Sequence, residues 1–121
     1  LNASTDHVKP SPTSARHHGH GNMDLYNASK WALNGFTFDW AKSLAKYNIR
    51  VNNLCVGATD TEMLRKWSGS NPDPEWVKSW MKPEDVAEVV ISLIEEGSDG
   101  RTGDNVGLYA GFDCTLPPAE I

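Results

Sequence analysis

The sequence predicts an α/β fold with parallel strands, on three observations. Leu1-Asn2-Ala3-Ser4-Thr5 reads as the closing residues of a strand. Residues 25 to about 48 carry apolar side chains at steps of three and four, the period of a helix. Ile49, Val51, Leu54, Cys55 and Val56 then mark a buried strand across residues 49–56, reached after a very short turn. Strand, helix and strand in that order form the crossover that joins parallel neighbours of one sheet.

Each element has a local reason. In the long helix Leu33, Phe36, Trp40, Leu44 and Tyr47 make one stripe, and Trp31, Phe38, Ala41 and Ala45 make a second beside it. A helix apolar over so much of its circumference is expected to be covered on more than one side, by a sheet and by a partner subunit or neighbouring helices. Gly35 inside it costs about 1 kcal/mol relative to Ala, so a close approach is expected there. Asn48 tolerates the left-handed conformation that ends a helix. Residues 61–67 and 75–81 read as short helices, the second bearing Trp76 and Trp80, which suit a lid, a dimer contact or core. Pro83, Glu84 and Asp85 open a further helix, with Pro at its first position and acids in its first turn. Its buried face is expected to be Val86, Val89, Val90, Leu93 and Ile94. Residues 105–110 read as a last strand, and 111–121 as an irregular tail.

Composition narrows the function classes. At 121 residues the chain fits a single domain with a small core. A net charge of −5 offers no footprint for nucleic acid or an anionic membrane surface. No apolar run is long enough to span a bilayer. Cys55 and Cys114 form no disulfide framework or zinc pattern, so Cys55 reads as a reduced thiol in an apolar strand and the cytoplasm as the expected compartment. His17, His18 and His20 cluster in the loop 6–24, but no carboxylate or Cys joins them at ligand spacing, so no metal is expected.

The chemistry centres on Tyr26-Asn27-Ala28-Ser29-Lys30. Positions i and i+4 stack on one helical face, so the phenol and the ammonium can share a pocket. The cation is expected to lower the phenol's pKa, fitting it to exchange a proton with a carbonyl or hydroxyl oxygen. A solvated surface pair is the bland alternative. Gly57-Ala58-Thr59-Asp60-Thr61 follows the carboxyl end of the second strand, the edge at which open α/β sheets bind ligands. An ordinary strand-to-helix turn capped by Thr or Asp is the alternative there.

Four motifs together resemble the short-chain dehydrogenases/reductases. They are Tyr26-x-x-x-Lys30; Arg50-Val51-Asn52 running into Val56-Gly57-Ala58-Thr59-Asp60-Thr61; Pro83-Glu84-Asp85-Val86-Ala87; and Arg101-Thr102-Gly103 before the last strand. The resemblance implies a Rossmann-type doubly wound parallel sheet, with residues 1–121 as the carboxyl-terminal half of one NAD(P)-binding domain. It implies an NAD(P)-dependent oxidoreductase that interconverts a carbonyl and an alcohol by hydride transfer. Tyr26 is then the general acid/base, Lys30 tunes it and binds the nicotinamide ribose, and Thr5, with Ser4 as alternative, holds the substrate oxygen. Tyr26, Lys30, Val56, Gly57, Ala58, Thr59 and Thr61 are the implied contacts to NAD or NADP. The step from Thr5 to Tyr26 is longer than usual in the family, which implies an inserted loop. Val56 stands where the family has Pro, Thr59 where it has Val or Ile, and Tyr109-Ala110-Gly111 where it commonly has V-D-G-G. No G-x-x-x-G-x-G occurs, so the chain alone is expected to be inactive. A homo-oligomer, dimer or tetramer, is implied for the full-length protein. Rival readings are an incomplete fragment or non-enzymatic binding module, and a sugar-nucleotide epimerase or reductase of the same fold, suggested by Ser4-Thr5-Asp6. The five Trp and the apolar short helices favour a hydrophobic or cyclic carbonyl.

Overall fold

A computed structural model describes the backbone of residues 2–5 and the whole of residues 24–119. The loop read at 6–24 falls outside these except for Asp24, and so do its four His and the side chains of Ser4 and Thr5. Three strands lie side by side in the order β1 (Asn2–Thr5), β2 (Asn53–Val56) and β3 (Asn105–Leu108), and both pairings are parallel. Thr5 stands opposite Val56, and Val56 opposite Leu108, so the three carboxyl ends form one edge.

Helix α1 (Asp24–Leu44) packs on one face of the sheet, with an acid in its first turn and Lys42 in its last. A single 3-10 turn, Ala45–Tyr47, prolongs it, and Asn48 closes it at φ 59°, donating its N–H to Ala45 O at 2.9 Å. The face turned inward carries Ala41 of the second stripe and none of the exposed aromatic side chains. Thr37 and Ala41 are its buried residues, while Trp31, Phe36, Phe38, Trp40 and Tyr47 are exposed. Small side chains let the helix axis approach the strands, and the buried Thr37 hydroxyl is satisfied by Leu33 O at 2.9 Å. Phe36 and Trp40 stack on each other outside, with centroids 5.4 Å apart. Gly35 marks no close approach: no atom among the described residues lies within 4 Å of where its Cβ would stand.

β2 is shorter than the apolar run suggests because residues 50–52 spend their polar groups elsewhere. Gly103 donates to Val51 O at 2.6 Å, Val51 N–H to the Thr102 hydroxyl at 3.1 Å, and Asn52 Nδ2 to Arg101 O at 2.9 Å. β3 likewise stops at Leu108, two residues short of the expected end.

Helices α2 (Glu62–Trp67), α3 (Pro74–Lys78) and α4 (Pro83–Glu95) connect β2 to β3. Thr61 caps α2 by accepting from Leu64 N, and Asp73 caps α3 by accepting from Glu75 N. α4 covers the second face of the sheet. Val89 and Leu93 meet Leu54, Val106, Leu108 and Met81 in the main core, with Val86 and Val90 beside them. Ile94, expected in that face, is exposed. Its carbonyl end is held instead by Arg50, whose guanidinium donates to Leu93 O at 2.8 Å. Helices on both faces of a parallel sheet make the fold doubly wound. Three strands are about half of what an open sheet of that kind carries.

Candidate active site

The site stands at the strands' carboxyl edge. Past Val56 the chain turns through residues 57–61 and is pinned to the segment before α4. Met81 N–H donates to Ala58 O at 3.0 Å, and Asp60 N–H to Met81 O at 2.9 Å. Gly57 sits against the end of β3. A Cβ on it would lie 3.1 Å from both Leu108 O and Ala110 N, so the missing side chain serves backbone packing against the end of β3. Its N–H donates to Leu108 O at 2.8 Å.

A cavity of about 500 Å³ opens beside this turn. Tyr26, Val56, Gly57, Ala58, Thr59 and Thr61, all singled out from sequence, line it together. Lys30, one helical turn beyond Tyr26, lies with Nζ 5.6 Å from the Tyr26 ring centroid. The backbones of Ser4 and Thr5 close β1 on the same edge. The expected depression of the Tyr26 pKa is not what this structure gives. Burial pushes the phenol above its ordinary value, because the phenolate loses hydration there.

Sequence reasoning missed part of the wall. Met63, Leu64 and Trp67 of α2, with Pro83 and Val86 of α4, complete the lining among the described residues. The signal was there in the i, i+1, i+4 spacing of the three α2 side chains. Of the three roles open to Trp76 and Trp80, lid, dimer contact or core, the structure selects core. Trp80 is buried with Ala58 and Leu64, and Trp76 meets it edge-on at 5.0 Å. Also missed was an amide cluster around the buried Asn53, under α1. Asn53 Nδ2 donates to Asn34 Oδ1 of α1 and to Asn105 Oδ1 of β3, the latter at 3.0 Å, with Cys55 Sγ 3.4 Å away. Asn34 stands four residues past Lys30 and eight past Tyr26, on the same side of α1. Cys55 is thus a half-buried thiol in polar company, and neither it nor Cys114 is in a disulfide. No cluster of metal-binding side chains occurs among the described residues.

The residues present fit the nicotinamide end of a dinucleotide. Gly57 and Asp60 N–H are engaged by the chain itself, whereas those of Ala58, Thr59 and Thr61 have no partner among the described residues, and an amide carbonyl or phosphate can take them.

Comparison with known proteins identifies the family of the chain. A family model described as enoyl-(acyl carrier protein) reductase matches residues 11–113. The short-chain dehydrogenase/reductase FrzI of Cladobotryum sp. is 32% identical over 93% of this chain and 50% of its own length. The 3-oxoacyl-(acyl-carrier-protein) reductase FabG of Thermotoga maritima is 34% identical over 78% of this chain and 40% of its own. A solved structure titled short chain dehydrogenase/reductase family protein superposes with a TM-score of 0.69 at 26% identity, covering 91% of this chain and 43% of that one. The chain spans half or less of the length of the relatives it matches.

Proposed function

We propose a function on one premise: this chain belongs to the short-chain dehydrogenase/reductase family. It forms the acid–base wall of an NAD(P)-dependent oxidoreductase that interconverts a carbonyl and an alcohol. The observation that carries this reading is the Tyr26 phenol opening on a cavity at the strands' carboxyl edge, with the Lys30 ammonium 5.6 Å from its ring.

The bound cofactor supplies or accepts the hydride. The chain's own residues manage the proton and the geometry. Burial keeps the Tyr26 proton on at neutral pH, so in the reducing direction the phenol donates it to the carbonyl oxygen as charge builds there. Lys30 stabilises the negative charge left on the phenol. Thr5, at the end of β1, holds the substrate oxygen, with Ser4 as the alternative. Val56 to Thr61 present the nicotinamide end, through the open N–H groups of Ala58, Thr59 and Thr61. The exposed aromatic face of α1 meets a second subunit, as a dimer or tetramer requires. Two free thiols suit a reducing cytoplasm, and among the described residues no helix is long and apolar enough to cross a membrane.

The test is Tyr26→Phe in the protein that carries this chain. Turnover is expected to fall about a hundredfold or more while NAD(P)H binding, read by nicotinamide fluorescence, is kept. A Tyr26→Phe variant retaining most of its activity sinks the mechanism.

A further inference from the structure

We infer that Arg65 is a positioning residue for the cofactor: it occupies both oxygens of Asp60, and so keeps that carboxylate from competing for the open N–H groups of the turn 57–61. The inference rests on the NAD(P)-dependent reading above and assigns the residue that keeps its cofactor turn receptive.

The turn carries its own competitor. The N–H groups of Ala58, Thr59 and Thr61 are open, and what they can receive is an acceptor, an amide carbonyl or a phosphate oxygen. Asp60 stands in their midst. An Asp outside regular structure readily bends its carboxylate onto a neighbouring main-chain N–H. Its charge also opposes any anion that approaches. Left alone, Asp60 would take the place a ligand needs.

Arg65 prevents both. Its Nε donates to Asp60 Oδ1 at 2.5 Å and its Nη2 to Asp60 Oδ2 at 2.6 Å, so both carboxylate oxygens are taken. These bonds hold the Asp60 carboxyl below its ordinary value, so it stays ionised and paired. Asp60 N–H goes to Met81 O at 2.9 Å, which fixes the residue's backbone. The other side-chain oxygens of the turn are engaged as well: Thr59 Oγ1 donates to Gly57 O at 3.1 Å, and Thr61 Oγ1 accepts from Leu64 N at 3.2 Å. Neither Asp60 nor Arg65 lines the cavity, so the pair acts through the turn and touches no reacting atom. Their side chains are 37% and 61% exposed. An ion pair so open to water adds little to stability, and bracing the fold does not account for it.

Three variants of the protein that carries this chain test this, with NADH and NADPH affinity read from nicotinamide fluorescence. Arg65→Gln frees the carboxylate and should weaken the nucleotide that the parent binds about fivefold at low salt. Salt at about 0.5 M should narrow that gap to about twofold. Asp60→Asn removes the competing charge itself and should bind at least as tightly as the parent. The double variant should return to within about twofold of the parent, since the two changes act on one interaction. In turnover the loss in Arg65→Gln should fall on the nucleotide KM and not on kcat. Water reaches both side chains, and an unchanged far-ultraviolet spectrum shows that each variant folds. A pair that merely braces the turn would make Asp60→Asn as weak as Arg65→Gln. That result, or an Arg65→Gln affinity equal to the parent's, overturns the inference. A parent that binds neither nucleotide refutes the oxidoreductase reading instead, and the inference falls with it.

Discussion

Asn53→Leu is the perturbation that tests how α1 is held to the sheet. Asn53 is fully buried, and its amide donates to the carbonyl oxygens of Asn34 on α1 and Asn105 on β3. Leu keeps the branched shape and removes both donors, leaving two half-buried acceptors without them. Each unmet acceptor costs about 1–3 kcal/mol. Added apolar burial returns about 1–2 kcal/mol, so mid-range values leave a net loss of about 2–3 kcal/mol. Urea unfolding followed by Trp fluorescence measures it. The Asn34→Leu variant and the double variant complete a cycle. If the two amides act on each other, removing the second costs less than removing it alone, and the coupling is about 1–2 kcal/mol. A single-variant loss or a coupling below about 0.5 kcal/mol refutes the view that this amide cluster clamps α1, and with it Tyr26 and Lys30, to the sheet.

Two further outcomes are expected. Burial raises the Tyr26 pKa above 10.0, so its protonated form is the one the fold favours. Its contribution to stability is intact below that value and is lost as pH rises through the raised one. A tyrosinate absorbance titration of the chain minus that of Tyr26→Phe should show a phenol titrating above 10.0; one titrating below it contradicts the burial argument. Gly57→Ala should cost about 1–3 kcal/mol, because its Cβ meets backbone atoms of Leu108 and Ala110 that cannot swing aside. Gly107→Ala meets only the far end of the Tyr109 ring, which can rotate off, so its cost should stay below about 1 kcal/mol. Melting curves of the two variants rank them, and the reverse order would count against a packing role for Gly57.

The local signals were legible because they depend on neighbours in the chain. Asn48 at the helix end, Thr61 ahead of α2 and Pro83 at the start of α4 each act within one turn of themselves, and each stands where its chemistry predicts. The pairing of Tyr26 with the turn after β2 was legible for a related reason. A parallel crossover brings both to the carboxyl edge whatever the side chains between them.

What the chain order could not decide is which side of an element faces inward, since that depends on partners distant in sequence. Apolar periodicity in α1 picked out Ala41 but also Phe36 and Trp40, yet the sheet selected Thr37 and Ala41, because close approach rewards small volume over hydrophobicity. Trp80 went to the core and Trp67 to the cavity, although both sit on short connecting elements with similar composition. The proton affinity of Tyr26 was misjudged for the same reason. A cation four residues away can be read from the sequence, but the water removed from the phenol depends on everything packed around it, and here desolvation sets the direction.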